Sequence, residues 1–142
     1  MSLIAIATLA AAAATTAPVH SVNLDHRGSS YNVDYRAQVS TSTRVIGMSA
    51  PARTSTKRCV ITATVSVDRV IADGGHALTA TLPGTETYTR QVPGGCSNRD
   101  DQLAQLVNEK SGAISAHLAQ TAANDRQTAL AAIDAAHAFA AN

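Results

Sequence analysis

The stretch that decides the fold is TSTKRCVITATVSVDRV, residues 54–70. From Cys59 onward its residues alternate between two faces. One face is apolar throughout and consists of Cys59, Ile61, Ala63, Val65 and Val67. The other is mostly polar and consists of Val60, Thr62, Thr64, Ser66 and Asp68. Such alternation is typical of a strand with one buried face. It predicts a central β-strand that directs the Cys59 side chain into the core.

The same period of two continues on both sides of this strand. It occurs in SVNLDHR (21–27), YNVDYRAQV (31–39), TRVIGM (43–48), ALTATL (77–82) and TYTRQV (87–92). Glycine and proline mark turns between several of these segments, as in RGSS, ADGGH and PGTE. Short connections between consecutive strands favour pairing of neighbours. Residues 19–96 are therefore predicted to form an antiparallel meander of five to six strands.

A helical period replaces the strand period from Ser97 onward. An apolar stripe follows at helical spacing, made of Leu103, Leu106, Val107, Ile114 and Leu118. If the phase of that stripe continued, Leu130 and Ile133 would point away from it. We therefore expect a kink or break near Asn124, or a second helix that changes its contact surface. The alternative is one long helix whose second half packs on a partner chain. The fold class is predicted to be α+β, in which a C-terminal helix or kinked helix pair (97–142) packs on the sheet.

The N-terminal sequence MSLIAIATLAAAAATTAPVH contains an apolar stretch from Leu3 to Ala14. Its twelve residues are fewer than the roughly 20 that span a bilayer, but they fit the apolar region of a signal peptide. No Lys or Arg precedes Leu3. We predict a signal peptide over 1–18, cleaved between Ala14 and Ser21, followed by a single α+β domain over 19–142. The alternative is an alanine-rich buried helix. Export predicts a periplasmic or secreted protein without a stable membrane span.

Two cysteines, Cys59 and Cys96, are present in the chain. An even number in a small exported protein favours a disulfide, which would stabilise the fold by about 4 kcal/mol. Aromatic residues make up only 3% of the chain, so a covalent link would support a core built from small aliphatic side chains. The alternatives are two free thiols in a cytosolic protein and a two-cysteine metal site. The second is disfavoured because the pair lacks CxxC spacing.

Catalytic motifs are not found: the sequence lacks GxSxG, HExxH, a P-loop, a Rossmann glycine pattern and an EF-hand loop. Asp134 and His137 are three residues apart and share a helix face, but the sequence places no third metal ligand beside them. Asp25 and His26 are neighbours on a strand and face opposite sides. No catalytic residue, metal ligand or cofactor is predicted.

Basic residues cluster in ARTSTKR, residues 52–58. Arg53, Lys57 and Arg58 could contact an anionic envelope component, such as lipid headgroups or an acidic glycan. The alternative is a solvated loop, because three charges without aromatic residues bind little specifically. The net charge of +1 gives no strong attraction to nucleic acid.

Five segments followed by a helical tail carry a resemblance to a known group: LDHRGSSYNVDYRAQV, TRVIG, RCVITATVSVDR, LPG and PGGC. The combination resembles small exported proteins of alphaproteobacteria that have no assigned role. The resemblance implies a periplasmic or secreted location and implies nothing about mechanism.

These observations favour an exported, non-enzymatic protein that acts by binding or as an envelope structural component. One alternative is a hydrolase or metal-dependent enzyme, which predicts a cleft where at least two of Asp25, His26, His76 and His117 converge. Another is an assembly subunit with the C-terminal helix as an interaction arm, which requires that the second half of this helix not pack on its own sheet. A binding protein predicts a groove or an exposed apolar patch.

Overall fold

The computed structural model describes residues 17–141. Five strands precede two helices in the order β1 (Val19–His26), β2 (Ser29–Ile46), β3 (Arg58–Asp73), β4 (His76–Thr81), β5 (Glu86–Pro93), α1 (Asp100–Glu109) and α2 (Ser111–Ala140). This α+β architecture, an antiparallel sheet followed by helices, confirms the predicted fold class. Most of the predicted signal peptide, residues 1–16, lies outside the described residues.

A long hairpin of β2 and β3 forms the centre of the sheet. The two strands pair continuously from Val33 opposite Ile71 to Ile46 opposite Arg58. The segment TRVIGM, predicted as a separate strand, is not separate: its first four residues are the last four residues of β2. The intervening Ser40–Ser42 contains no glycine or proline, and Thr41 is β-branched, so nothing interrupts the extended backbone.

Both short strands β4 and β5 pair with the same edge of β3. Thr81 lies opposite Asp68 and Glu86 lies opposite Val65, so four residues, 82–85, face two residues of β3. The PGTE turn therefore does not reverse the chain. The Leu82 N–H donates to the Val67 carbonyl at 2.8 Å, which keeps the segment against β3 while Pro83 and Gly84 bulge outward.

One face of the sheet is covered by the helices, and the core lies between these two layers. The inward residues of β3 include all five predicted apolar positions, and each is at most 1% exposed. A larger cluster joins the sheet to α2, and a smaller one joins Cys59, Ile61 and Ala63 to Leu106 of α1. Within residues 17–141, no helix is long and apolar enough to cross a membrane.

The helical segment breaks at Lys110, and the predicted break near Asn124 is wrong, because α2 runs unbroken through that position. Ala122 and Ala129 are buried, and Asp125 forms an ion pair with the sheet between them. These small and charged residues continue the contact face from Leu118 to Ile133. A stripe defined by large apolar residues alone could not reveal that continuity.

The predicted disulfide is present between Cys59 and Cys96. It ties the loop after β5 to the first residues of β3, immediately before α1. The Arg99 side chain holds the same loop by donating hydrogen bonds to the carbonyls of Pro93 at 2.8 Å and Gly95 at 3.0 Å. The entry to α1 is thus fixed by one covalent and two polar contacts.

Candidate functional site

An apolar groove opens between α1, the start of α2 and the second half of β2. It encloses about 650 Å³. Its walls consist of eight small or aliphatic residues and five polar ones: Ala17, Pro18, Ala37, Gln38, Val39, Thr41, Asp100, Leu103, Ala104, Val107, Asn108, Ser111 and Ile114. Ligand and peptide sites commonly have such concave, mainly apolar linings.

One wall of this groove is a strand edge that lacks a neighbour. The pairing of β1 with β2 ends at Val19 opposite Arg36, followed by one hydrogen bond from the Ala37 N–H to the Pro18 carbonyl at 3.1 Å. In residues 17–141, the segment from Gln38 to Ile46 pairs on one side only, with β3. We call this segment the free edge.

The direction of the backbone groups along the free edge follows from the hydrogen bond that Ala37 donates to Pro18. In an antiparallel strand, the N–H and C=O of one residue point to the same side, and successive residues alternate. The N–H and C=O groups of Ala37 point away from β3. The same groups therefore also point away from β3 at every second residue that follows: Val39, Thr41, Thr43 and Val45. The free edge therefore presents four pairs of backbone donors and acceptors to whatever lies beside it.

Side chains at the free edge are nearly uncharged. Arg44 is the only ionisable residue between Gln38 and Ile46, and there is no proline or lysine. Val45 lies on the same face of β2 as the core-facing side chains but is 47% exposed. The segment thus combines open backbone groups with an exposed aliphatic side chain.

A buried ion pair lies elsewhere between the layers. Asp125 of α2 accepts hydrogen bonds from Arg69 at 2.9 and 3.0 Å and from the Tyr35 hydroxyl at 3.1 Å. The side chains of Arg69 and Asp125 are 7% and 9% exposed. Burial, followed by the nearby Asp125 carboxylate, raises the pKa of Tyr35 to about 12. The three groups hydrogen-bond to one another inside the core, and only the buried Nε of Arg69 lacks a partner among them. This is a structural arrangement rather than an open site.

A second polar cluster lies at the end of the sheet where the β1–β2 turn meets the last turns of α2. His26 Nε2 lies 2.8 Å and Arg27 Nε 3.1 Å from Asp134 Oδ1. The Tyr31 hydroxyl lies 2.9 Å from His137 Nε2. The hydrogen bond with His26 is the main cause that lowers the pKa of Asp134. We call this group the polar end.

The polar end brings together residues that the sequence separates widely. Asp134 and His137, predicted to share a helix face, both contribute to it, and His26 joins them from β1. Tyr31 was not predicted to take part, and neither was Asp73, whose carboxylate lies 3.9 Å from His137. The strand alternation places Tyr31 inward but does not show which helix residue it meets.

The contacts of the polar end do not form a recognisable catalytic set. Among the described residues, no hydroxyl group hydrogen-bonds to His26, and no three His, Cys, Asp or Glu side chains are placed to hold a metal ion. Asp25 and His26 occupy opposite faces of β1, and His76 is exposed at the start of β4. His117 lies instead near Glu86, at 3.8 Å. The four residues proposed for an enzyme therefore have separate surroundings.

The predicted basic loop is exposed. Arg53 and Lys57 lie in the β2–β3 connection, and Arg58 begins β3. None of the three forms a salt bridge within residues 17–141. Their possible contact with an anionic envelope component stays a prediction.

Helix α2 contacts β1, β2 and β3 of its own sheet along its length. The buried face of α2 is thus occupied, including its second half at Ala129 and Ile133. An interaction arm would have to use the opposite, exposed face.

Comparison of the chain with protein families, with curated proteins and with solved structures found no match.

Proposed function

We propose that this is an exported, periplasmic or secreted protein that acts by binding rather than by catalysis, either alone or as a structural component of the cell envelope. The observation that carries the proposal is the apolar groove bordered by the free edge of β2. Two of its thirteen lining residues, Ala17 and Pro18, belong to the predicted signal peptide, and the other eleven lie in the predicted domain. Extended segments bind such sites by adding a strand to the sheet while their side chains enter adjacent pockets.

Two features support export. The disulfide between Cys59 and Cys96 is typical of proteins that fold in oxidising compartments. The stretch from Leu3 to Ala14 has the composition of a signal-peptide apolar region. The resemblance to small exported alphaproteobacterial proteins agrees with both.

Export is tested by producing the full chain in a bacterium and measuring the intact mass in each cell fraction, with and without reduction. We expect a periplasmic or secreted product that starts between Thr15 and Val22 and gains two hydrogens on reduction. Ile6→Arg should retain the protein in the cytoplasm because it interrupts the apolar stretch. Ser2→Arg is the matched control, since a positive charge before that stretch favours export. An uncleaved cytoplasmic chain with two free thiols would contradict the proposal.

Binding is tested with a photo-reactive amino acid at Thr41, which lines the groove, and at Thr79, which is exposed on β4. A partner at the groove should cross-link from Thr41 and not from Thr79. Equal cross-linking from both positions, or none from Thr41, would argue against a binding role for this groove.

The partner of the basic loop is a separate question with a separate test. Flotation with anionic and neutral lipid vesicles should distinguish the wild-type protein from a variant with Arg53, Lys57 and Arg58 replaced by Gln. Equal flotation of the two proteins would show that the loop is only solvated.

A further inference from the structure

We propose that the free edge of β2 pairs with the same edge of a second copy of this chain, in antiparallel orientation about a two-fold axis. The inference rests on the proposed binding function and names its partner. The result would be one continuous sheet across two copies, with both grooves at the junction.

The free edge lacks the features that usually prevent strand pairing. Soluble proteins protect exposed edges with lysine, proline, bulges or short strands. The segment Gln38–Ile46 has nine regular residues and a single charge, at Arg44. Four residues along it direct their backbone groups outward. An edge of this kind is a template for another strand.

The other edges of the sheet are better protected. The outer edge formed by β4 and β5 is interrupted at Pro83 and Gly84 and carries Glu86 and Arg90. The outer edge of β1 has eight residues, and three of them are ionisable: His20, Asp25 and His26. The contrast singles out the free edge of β2 as the pairing surface.

When the free edge pairs with its own copy, the residues that point their backbone groups outward can face each other. Full overlap of Gln38–Ile46 with its own copy places Ser42 on the two-fold axis. Val39 then faces Val45 of the second copy and Thr41 faces Thr43. All four residues point their N–H and C=O groups outward, so hydrogen-bonding residues meet each other, as antiparallel pairing requires.

Charges do not oppose this register. Arg44 faces Ser40 rather than the second Arg44, so no like charges lie directly opposite. The whole chain carries only +1, so two copies repel each other weakly.

In this register the exposed Val45 side chain would enter the groove of the second copy. Val45 is 47% exposed within one copy. Its position opposite Val39, a groove residue, directs it toward the aliphatic wall formed by Leu103 and Val107 of the other copy. The two-fold axis repeats this contact, so each copy both supplies a valine and receives one.

The test is sedimentation of the exported protein over a range of concentrations. Two edges with a groove contact make a small interface, so we expect a reversible dimer with a dissociation constant on the order of micromolar. Val45→Lys should raise this constant at least about tenfold, because it carries a charge into the apolar groove. Met48→Lys is the matched control: it makes the same charge change at an exposed residue beyond the strand, and should leave the constant within about twofold.

A second variant tests the backbone pairing itself. Thr41→Pro removes an N–H that points away from β3, so it should spare the internal ladder while it weakens the dimer at least about tenfold. Urea unfolding checks that the variant folds. Hydrogen exchange should show amides of Thr41 and Thr43 that become protected only as the concentration rises.

Three results would overturn the proposal. They are a monomer at every concentration, a dimer that neither Val45→Lys nor Thr41→Pro weakens, and edge amides that are already protected in the monomer. The last would assign the edge to another segment of the same chain. An exported monomer that cross-links a different protein from Thr41 keeps the proposed function and rejects only the second copy.

Discussion

At the scale of single residues, the inward face of β3 contains one buried exception to its apolar pattern. Arg69 occupies a core-facing position between Val67 and Ile71, and its charge is matched by Asp125 of α2 at 2.9 Å. A buried pair of this kind contributes little over an apolar pair, but the loss of one partner leaves an uncompensated charge in the core. The pair therefore constrains how α2 docks on the sheet.

Asp125→Ala should lower the free energy of unfolding by about 3–5 kcal/mol, because it leaves Arg69 buried without its partner. The double variant Asp125→Ala/Arg69→Met should lose less than the single variant. Urea denaturation at neutral pH measures both. Arg36→Ala is the control: its pair with Asp34 is exposed, so it should cost less than about 1 kcal/mol. A single variant no less stable than this control would contradict the assigned role.

The polar end offers a prediction about pH. The hydrogen bond with His26 is the main cause that lowers the pKa of Asp134, with Arg27 contributing. A carboxyl whose folded pKa is depressed stabilises the fold above its ordinary pKa and loses that contribution as the pH falls through the folded pKa. The difference in unfolding free energy between wild type and Asp134→Asn should therefore shrink as the pH falls from the ordinary pKa of an aspartate through the lower pKa of folded Asp134.

Carbon-13 NMR titration of the Asp134 carboxyl tests the cause directly. His26→Ala should raise the pKa of Asp134 toward its ordinary value. His76→Ala is the control, because His76 is not among the groups that shift the Asp134 pKa. An Asp134 pKa that stays low in His26→Ala would assign the effect to Arg27 and His137 instead.

At the scale of elements, helix α2 depends on small residues where it crosses the sheet. Ala129 is fully buried, whereas Ala131, two residues later, is exposed. Ala129→Leu should destabilise the protein by about 1–3 kcal/mol, because extra carbon atoms in a packed layer force the helix outward. Ala131→Leu makes the same chemical change on the solvent face and should cost less than about 0.5 kcal/mol. Equal unfolding free energies would mean that α2 does not pack closely at Ala129.

How much of the fold can be predicted from the sequence differs between its two layers. Strand alternation predicts the inward face of β3 correctly because the period of two is continuous and Cys59, Ile61 and Val65 are all apolar. It does not predict that β4 and β5 share one edge of β3, since Pro83 and Gly84 are equally compatible with a reversal and with a bulge. The phase of α2 is missed because Ala122, Asp125 and Ala129 are not large apolar residues.

The candidate site is harder to predict, for a physical reason. The free edge exists because β2 extends past the start of β1, and relative strand lengths depend on long-range pairing rather than on local pattern. The groove beside it is lined by residues of α1 and of the start of α2, on either side of the break at Lys110. Neither property has a local sequence signal, whereas the disulfide follows from cysteine number and context.

At the scale of the whole molecule, the disulfide encloses β3, β4 and β5 within one covalent loop and attaches α1 to the smaller core cluster. That cluster contains Cys59, Ile61, Ala63 and Leu106 as its buried residues. It is small, so the docking of α1 depends strongly on the covalent link. The groove shares α1 as a wall, and its shape should respond to the same bond.

Cys96→Ala should lower the free energy of unfolding by about 2–4 kcal/mol, because the unfolded chain is no longer constrained between residues 59 and 96. Amide exchange should rise most in α1, whose attachment is lost, and least in the β1–β2 hairpin, which lies outside the covalent loop. Complete reduction of the wild-type protein should give the same stability as the variant to within about 1 kcal/mol, and reductant should leave Cys96→Ala unchanged. If full reduction leaves the wild-type stability and the exchange of α1 unaltered, the contacts of Leu106 and Arg99 suffice to hold the helix.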